Sequence, residues 1–353
     1  MATLHVFNPE HDIALAADLD TFTAPKAGRE LRHDLGWLPV FWAEAGDYVL
    51  VENVDAAVRS VTTIPLRLPH DVNFVRSSAF SQKALLAINR VVPWGWDRAL
   101  AGQLRRLGLS SVLPSSHSLE QLRLMSHRHF AARHFLSRLR TSDERLVGEA
   151  TLVHQLSDLS FSQSPQERPF VLKAPWSSSG RGVRFVTDAQ SFHRNLQWAQ
   201  NVVNRQGGIM VEPLYERVRD FGMEFYVDGQ TSYLGLSLFE TVNGAYIGNI
   251  LASEEEKREE LSKEIPLSLL DRVCSAIISI ADECLAPCYS GPFGIDMMVV
   301  KTTDGVLKLH PCVELNLRRT MGHVALDVSR CDVRRTYALM SIRYDGTYSF
   351  HLS

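Results

Sequence analysis

Two acidic side chains and an amide stand where a pair of strands can aim them at one cation. The sequence runs Gly291-Pro-Phe-Gly-Ile-Asp296-Met-Met-Val-Val and, after Asp304-Gly305, Val306-Leu-Lys-Leu-His-Pro-Cys-Val-Glu314-Leu-Asn316-Leu-Arg318-Arg319. Glu314 and Asn316 are two apart, so on a strand they leave the same face while Val313, Leu315 and Leu317 leave the other. Carboxylate and amide oxygens suit a hard cation such as magnesium, and not zinc. Arg318 and Arg319 follow at once and can clamp a phosphoryl group that the metal also touches. Taken alone, the pattern equally fits acidic residues at solvated strand ends.

A second block shifts the balance. Pro169-Phe-Val-Leu-Lys173-Ala-Pro-Trp-Ser177-Ser-Ser-Gly180-Arg-Gly182 reads as a buried strand that delivers a lysine, followed by a loop of small residues. Such a loop lets backbone N–H groups approach phosphate oxygens, and Lys173 adds a point charge. Neither a Walker Gly-Lys-Ser/Thr motif nor a G-x-G-x-x-G fingerprint occurs, which disfavours the two common nucleotide folds. A third block is Gly207-Gly-Ile-Met-Val-Glu212-Pro-Leu214-Tyr-Glu216, continuing through Asp220 and Glu224 to Asp228-Gly229.

In this order the three blocks resemble the ATP-grasp superfamily of carboxylate-amine and carboxylate-thiol ligases, over about residues 115 to 330. The resemblance implies an α/β (α+β) fold: two α+β subdomains preceded by a Rossmann-like α/β domain. It implies that Lys173 contacts the phosphates of ATP and that Ser177, Ser178, Ser179, Gly180 and Gly182 belong to a flexible covering loop. Glu212 and the Leu214 backbone would read the adenine edge, and Asp220 or Glu224 the ribose. Asp296, Glu314 and Asn316 match the positions that bind two magnesium ions, with manganese as a substitute, and Arg318 matches the phosphate-side arginine. Many relatives carry a lysine on the first helix of this region. Here Ser118 to Arg140 has none, and Arg128 lies where it would fall, offering a planar fork in place of a point charge. A solvated basic helix face is the competing reading of Arg128.

The activity so implied is activation of a small-molecule or peptide carboxylate as an acyl phosphate, attacked by an amine or thiol with release of ADP and phosphate. A kinase with a hydroxyl acceptor and a non-catalytic ATP-binding regulator are the alternatives. The substrate is expected around Asn8, Glu10, His11 and Asp12, with Lys26, Arg29 and the loops near Trp94 and Trp176. His323 stands just past the arginines and is read either as a substrate contact or as a structural residue. His127 and His129 are too close on a helix to share a site, and Cys284 and Cys288 lack partners for a zinc site.

Composition agrees with an enzyme. The 353 residues, 45% hydrophobic and 22% charged, can bury a core and divide into two or three domains. A net charge of −3 without a basic stripe gives no support to a nucleic-acid partner. No run approaches the roughly 18 apolar residues of a membrane span. The opening residues lack the features of a signal peptide, and the five cysteines lack metal spacing, so cytoplasmic free thiols are expected. A homodimer is left open.

Three domains are expected, at 1–114, 115–213 and 214–353. In the first, Leu4–Phe7 and Tyr48–Val51 read as strands, as does Val40–Trp42, with a helix over Ser81–Asn89. An Asp188-capped helix should end at Gly207-Gly208, hairpins should turn at Asp228-Gly229 and Asn243-Gly244, and Leu270 to Cys284 repeats at helical spacing. The run Glu254 to Glu260 reads as a solvated helix start or mobile loop. Counting across the last hairpin adds a condition. A two-residue turn at Asp304-Gly305 would put Asp296 and Glu314 on opposite faces. A three-residue loop with Gly305 left-handed, or a bulge at Pro311, puts them on one.

Overall fold

The computed structural model describes residues 2–68, 70–159, 169–177, 182–242 and 245–353. Four parallel strands open the chain: β1 (Ala2–Val6), β2 (Tyr48–Leu50), β3 (Asn73–Val75) and β4 (Ile88–Pro93), in the order β3-β2-β1-β4. Leu4, Val6, Val49 and Val91 bury this sheet under flanking helices. The strand order reverses beside β1, where open α/β sheets form a crevice at their carboxyl ends. Val40 is not in a strand. Leu38–Phe41 forms a 3-10 turn with every side chain buried, because Pro39 sets the first-turn geometry and the apolar run is too short to show a period.

A second sheet is antiparallel, in the order β5-β8-β6-β7: β5 (Thr151–Val153), β6 (Phe170–Lys173), β7 (Val183–Val186) and β8 (Ile209–Pro213). The helix Ala189–Gln206 covers it. A reciprocal capping box between Asp188 and Ser191 starts this helix, and Gly207, at φ 80°, ends it.

The third sheet has seven strands, in the order β13-β12-β9-β10-β11-β14-β15: β9 (Glu216–Asp228), β10 (Gln230–Val242), β11 (Ala245–Ile250), β12 (Gly291–Lys301), β13 (Leu307–Asn316), β14 (Leu339–Tyr344) and β15 (Tyr348–Leu352). Phe221, Met223, Phe225 and Val227 alternate into a core shared with Phe293, Ile295, Val299 and Leu309. The helix Leu267–Cys284 closes that core with Leu269, Leu270, Val273, Ile277 and Ile280, each large side chain contributing about 1.5–3 kcal/mol by leaving water. The acidic run is an ordered helix, Glu254–Ser262, capped by Ser253 and burying Lys257 and Leu261. The turn at 243–244 lies outside the described residues, although Val242 pairs with Ala245 on either side of it.

Hairpin β12–β13 turns through three residues. Lys301 pairs with Leu307, Thr302 N–H donates to Val306 O, and Gly305 sits at φ 84°. The strand also bulges: Met298 faces His310 but Asp296 faces Glu314, so Pro311, Cys312 and Val313 oppose Met297 alone. Pro311 has no N–H to give a ladder, which suits it to this place. Two added residues preserve the face, and Asp296 and Glu314 become direct cross-strand neighbours.

Candidate functional site

The face of the large sheet opposite its core carries Gly222 and Glu224 on β9, Gly294 and Asp296 on β12, and Glu314 and Asn316 on β13. Glu224 lies opposite Gly294, and Asp296 opposite both Gly222 and Glu314. Gly294 lets Glu224 approach closely, since a Cβ there would lie 2.6 Å from its Oε2 and 2.9 Å from Thr320 Cγ2. Asn316 Nδ2 donates to Asp296 Oδ2 at 3.1 Å. Burial, then the neighbouring charges of Glu314 and Glu224, push the Asp296 carboxyl up to about 7. Among the described residues no three His, Cys, Asp or Glu side chains form a ready metal cage. Two carboxylates and one amide nevertheless fit magnesium, which keeps waters and phosphate oxygens as its other ligands. The observation that carries the fit is the donor set itself: Asp296 and Glu314 are direct cross-strand neighbours on one face, and the Asn316 amide bonds to Asp296.

Arg128 is not on a solvated face. It opens the helix that follows His127, its side chain is 9% exposed, and Nη2 lies 2.8 Å from Glu314 Oε1. Nε donates to Ala174 O at 3.0 Å and Nη2 to Ser177 Oγ at 3.2 Å. The fork thus ties the start of the small-residue loop to a metal-site carboxylate, which one ammonium could not do with the same planar geometry.

The two arginines after Asn316 part company. Arg318 donates from Nη2 to Asn316 Oδ1 at 3.0 Å, and from Nε and Nη2 to the Asp12 carboxylate at 2.8–3.1 Å. Burial opposes ionisation of Asp12, yet Arg318 outweighs it and holds the carboxyl below its usual range. Arg319 turns away: Nη1 donates to Asp327 Oδ2 at 2.7 Å and the guanidinium lies 4.2 Å from the Trp42 ring centroid. The expected two-arginine clamp is therefore not formed. Past the strand end the chain enters the cap of helix Met321–Cys331, and Arg319 N–H bonds to Trp94 O, fixing its side chain toward the amino-terminal sheet.

Lys173 and Glu212 lie on neighbouring strands and form a buried pair, Nζ to Oε2 at 2.5 Å. Asp220 pairs with Arg217 at 2.7 Å, and its carboxyl is raised by burial against the pull of Arg217. Leu214 N–H, expected at an adenine edge, donates to Pro169 O at 2.9 Å. Glu224, expected at a ribose, is held by a buried neighbour. It is 3% exposed, and His323 Nδ1 lies 2.8 Å from its Oε2 while Nε2 faces Phe225 O at 3.1 Å. His323, 1% exposed, is a buried neighbour of Glu224. Ser177 and Gly182 lie close together, since a Cβ on Gly182 would meet Ser177 Cβ at 2.2 Å. Ser178, Ser179 and Gly180 lie outside the described residues.

Of the expected substrate residues, Asn8 and His11 are buried ties between two loops. Asn8 Nδ2 donates to Gly95 O and Asp97 Oδ2, and His11 Nδ1 lies 3.4 Å from the same Asp97 oxygen. A Cβ on Gly95 would strike the His11 ring at 2.6 Å. Glu10 pairs with Arg32 at 2.8 Å, Arg29 donates to Ala24 O, and Lys26 is exposed beside Glu30. Asp12, in the first turn of the helix His11–Ala17, is the residue of this segment that reaches the metal side. Its signal in the sequence was only its place in a polar turn after a first strand.

No family model and no curated protein matches the sequence. Solved structures do match. A putative ATP-grasp superfamily protein from Archaeoglobus fulgidus superposes with a TM-score of 0.50 at 12% identity, over 100% of this chain and 99% of that one. The biotin carboxylase domain of 2-oxoglutarate carboxylase from Hydrogenobacter thermophilus, in complex with MgADP, ADP and bicarbonate, gives 0.51 at 13% identity, over 94% of this chain and 69% of that one. At such identities the likeness is one of fold, and it spans all three sheets. The chain has the ATP-grasp fold.

Proposed function

We propose that the protein is an ATP- and magnesium-dependent ligase that activates a carboxylate as an acyl phosphate for attack by an amine or thiol. The observation that carries this is the cluster on one sheet face: Asp296, Glu314 and Asn316 within bonding reach of one another or of the two arginines, Arg128 and Arg318. Magnesium, when bound, would offset charge on the β- and γ-phosphates. Asp296, Glu314 and Asn316 would hold it, and Arg128 and Arg318 would flank the transferring group, adding positive charge where negative charge develops. Lys173, paired with Glu212, would meet the phosphates from the second sheet, and the loop from Ser177 to Gly182 would exclude water from a hydrolysable acyl phosphate. A substrate carboxylate oxygen attacks the γ-phosphorus and ADP leaves. The amine or thiol then attacks the carbonyl carbon and phosphate leaves. No side-chain nucleophile is needed, because positioning and electrostatics supply the rate. The Hydrogenobacter neighbour of the same fold is a complex with MgADP, ADP and bicarbonate, which supports the reading of a magnesium–nucleotide site.

The test is a screen of carboxylates and amines for magnesium-dependent ADP release. Release that requires both partners supports the ligase, whereas release with a single hydroxyl acceptor and a stable phosphorylated product supports a kinase. Absence of ATP binding at millimolar magnesium contradicts both.

A further inference from the structure

Asp12 lies in the first turn of the helix His11–Ala17 that follows β1, not on the sheets that carry the nucleotide and metal candidates, and yet it has the most direct hold on Arg318. Its carboxylate takes three hydrogen bonds from that one guanidinium, at 2.8, 3.0 and 3.1 Å. The same guanidinium donates to Asn316 Oδ1, and the other end of that amide donates to Asp296 Oδ2. Asp12, Arg318, Asn316 and Asp296 therefore form one hydrogen-bonded chain from the crevice of the first sheet to the metal carboxylates. Arg128 lies near enough to lower the Asp12 carboxyl as well, while its own bonds run to Glu314 and Ser177.

Consider the chain with Asp12 removed. Arg318 keeps its charge and loses the carboxylate that neutralises it, and Asp296 and Glu314 are the other acidic groups in its field. A guanidinium free to swing to them would occupy the oxygens that a cation needs. The amide of Asn316 would also lose the partner that fixes which end faces Asp296, and a metal site weakens when the groups behind its ligands are loosened. We propose that Asp12 is a positioning residue: it holds Arg318 off the metal carboxylates and so sets the affinity for the magnesium–nucleotide pair. The inference rests on the ligase reading only for the identity of that pair.

The test uses the full chain and ADP, titrated by calorimetry at a series of magnesium concentrations. In Asp12→Asn the magnesium concentration that half-saturates the enhancement of ADP binding should rise about tenfold or more, while ADP binding without magnesium stays near wild type. Combining Asp12→Asn with Arg318→Gln should recover part of the magnesium response, because the competing guanidinium is gone. Asp12→Glu keeps the charge and should recover most of it, which preserves the test should the Asn variant fold poorly. A wild-type magnesium response in Asp12→Asn overturns the proposal, as do strictly additive losses in the double variant or a Glu variant as impaired as Asn. A wild type whose ADP binding ignores magnesium overturns the ligase reading itself.

Discussion

At the scale of single residues, Lys173 shows how a structure changes the experiment a sequence suggests. Lys173→Met alone would strand Glu212, which is 8% exposed and has lost its cation, at a cost on the order of 3–5 kcal/mol. The informative variant is Lys173→Met with Glu212→Gln. It should fold, and calorimetry should show ATP affinity lower by about tenfold or more, as expected for a lost charge-assisted phosphate contact. Wild-type affinity would make the pair purely structural. Arg128→Lys tests the fork in the same way: one ammonium cannot serve Ala174 O, Ser177 Oγ and Glu314 in one plane. ATP affinity should fall while the melting midpoint moves little. Asp296, Glu314 and Asn316 were legible in the sequence because alternation along a strand fixes the face of every second side chain. Arg319 was not, because it follows the strand end, where period two no longer applies and a helix cap decides direction. The Asp12–Arg318 pair was beyond reach, since the partners are 306 positions apart.

At the scale of elements, the β12–β13 hairpin was readable by parity and the bulge only in part. Either an odd loop or a bulge satisfied the requirement that two carboxylates share a face, and the molecule has both. The loop depends on Gly305 at φ 84°, where space is open but the backbone is left-handed. Gly305→Ala should therefore cost about 1–2 kcal/mol in urea denaturation, without loss of ATP binding. The bulge brings His310 beside Lys173, and burial followed by that charge pushes its ring down to about 3. His127, against Trp176, is lowered by burial to about 4. Both rings stay neutral in the folded state below their ordinary 6.5, while the unfolded chain takes up protons. Stability from these groups is thus full above 6.5 and falls as pH drops toward 4, with a slope of about 1.4 kcal/mol per pH unit for each proton. Urea midpoints measured across that window should show the fall, and His310→Leu should flatten it. An unchanged slope in that variant would mean His310 takes up its proton in the folded state too.

At the scale of the whole molecule, the order of the three blocks announced the fold, and their contacts explain why the order matters. Alternation and capping signals placed the helix after Asp188 and the long strands of the large sheet. The carboxy-terminal hairpin had no comparable signal. Its strands extend the large sheet while Phe350 packs on Trp37 and Phe41 near the first sheet, so its stability comes from distant partners and not from local pattern. The same distant contacts bring Asp12 to Arg318 and Trp94 O to Arg319 N–H. The central claim is that Asp296 and Glu314 form a metal–nucleotide site, and their mutual repulsion supplies its most direct test. ATP titrations with and without magnesium for wild type, Asp296→Asn and Glu314→Gln, with melting midpoints for wild type and Asp296→Asn, separate binding from stability. At pH 7.5, removing the Asp296 charge relieves the burial penalty and then the repulsion from Glu314 and Glu224 that together raise its carboxyl to about 7, so the ligand-free Asn variant should melt no lower than wild type. Magnesium-dependent tightening of ATP binding should meanwhile fall by on the order of 100-fold in either variant. ATP binding that keeps its full magnesium response in both variants would contradict the account.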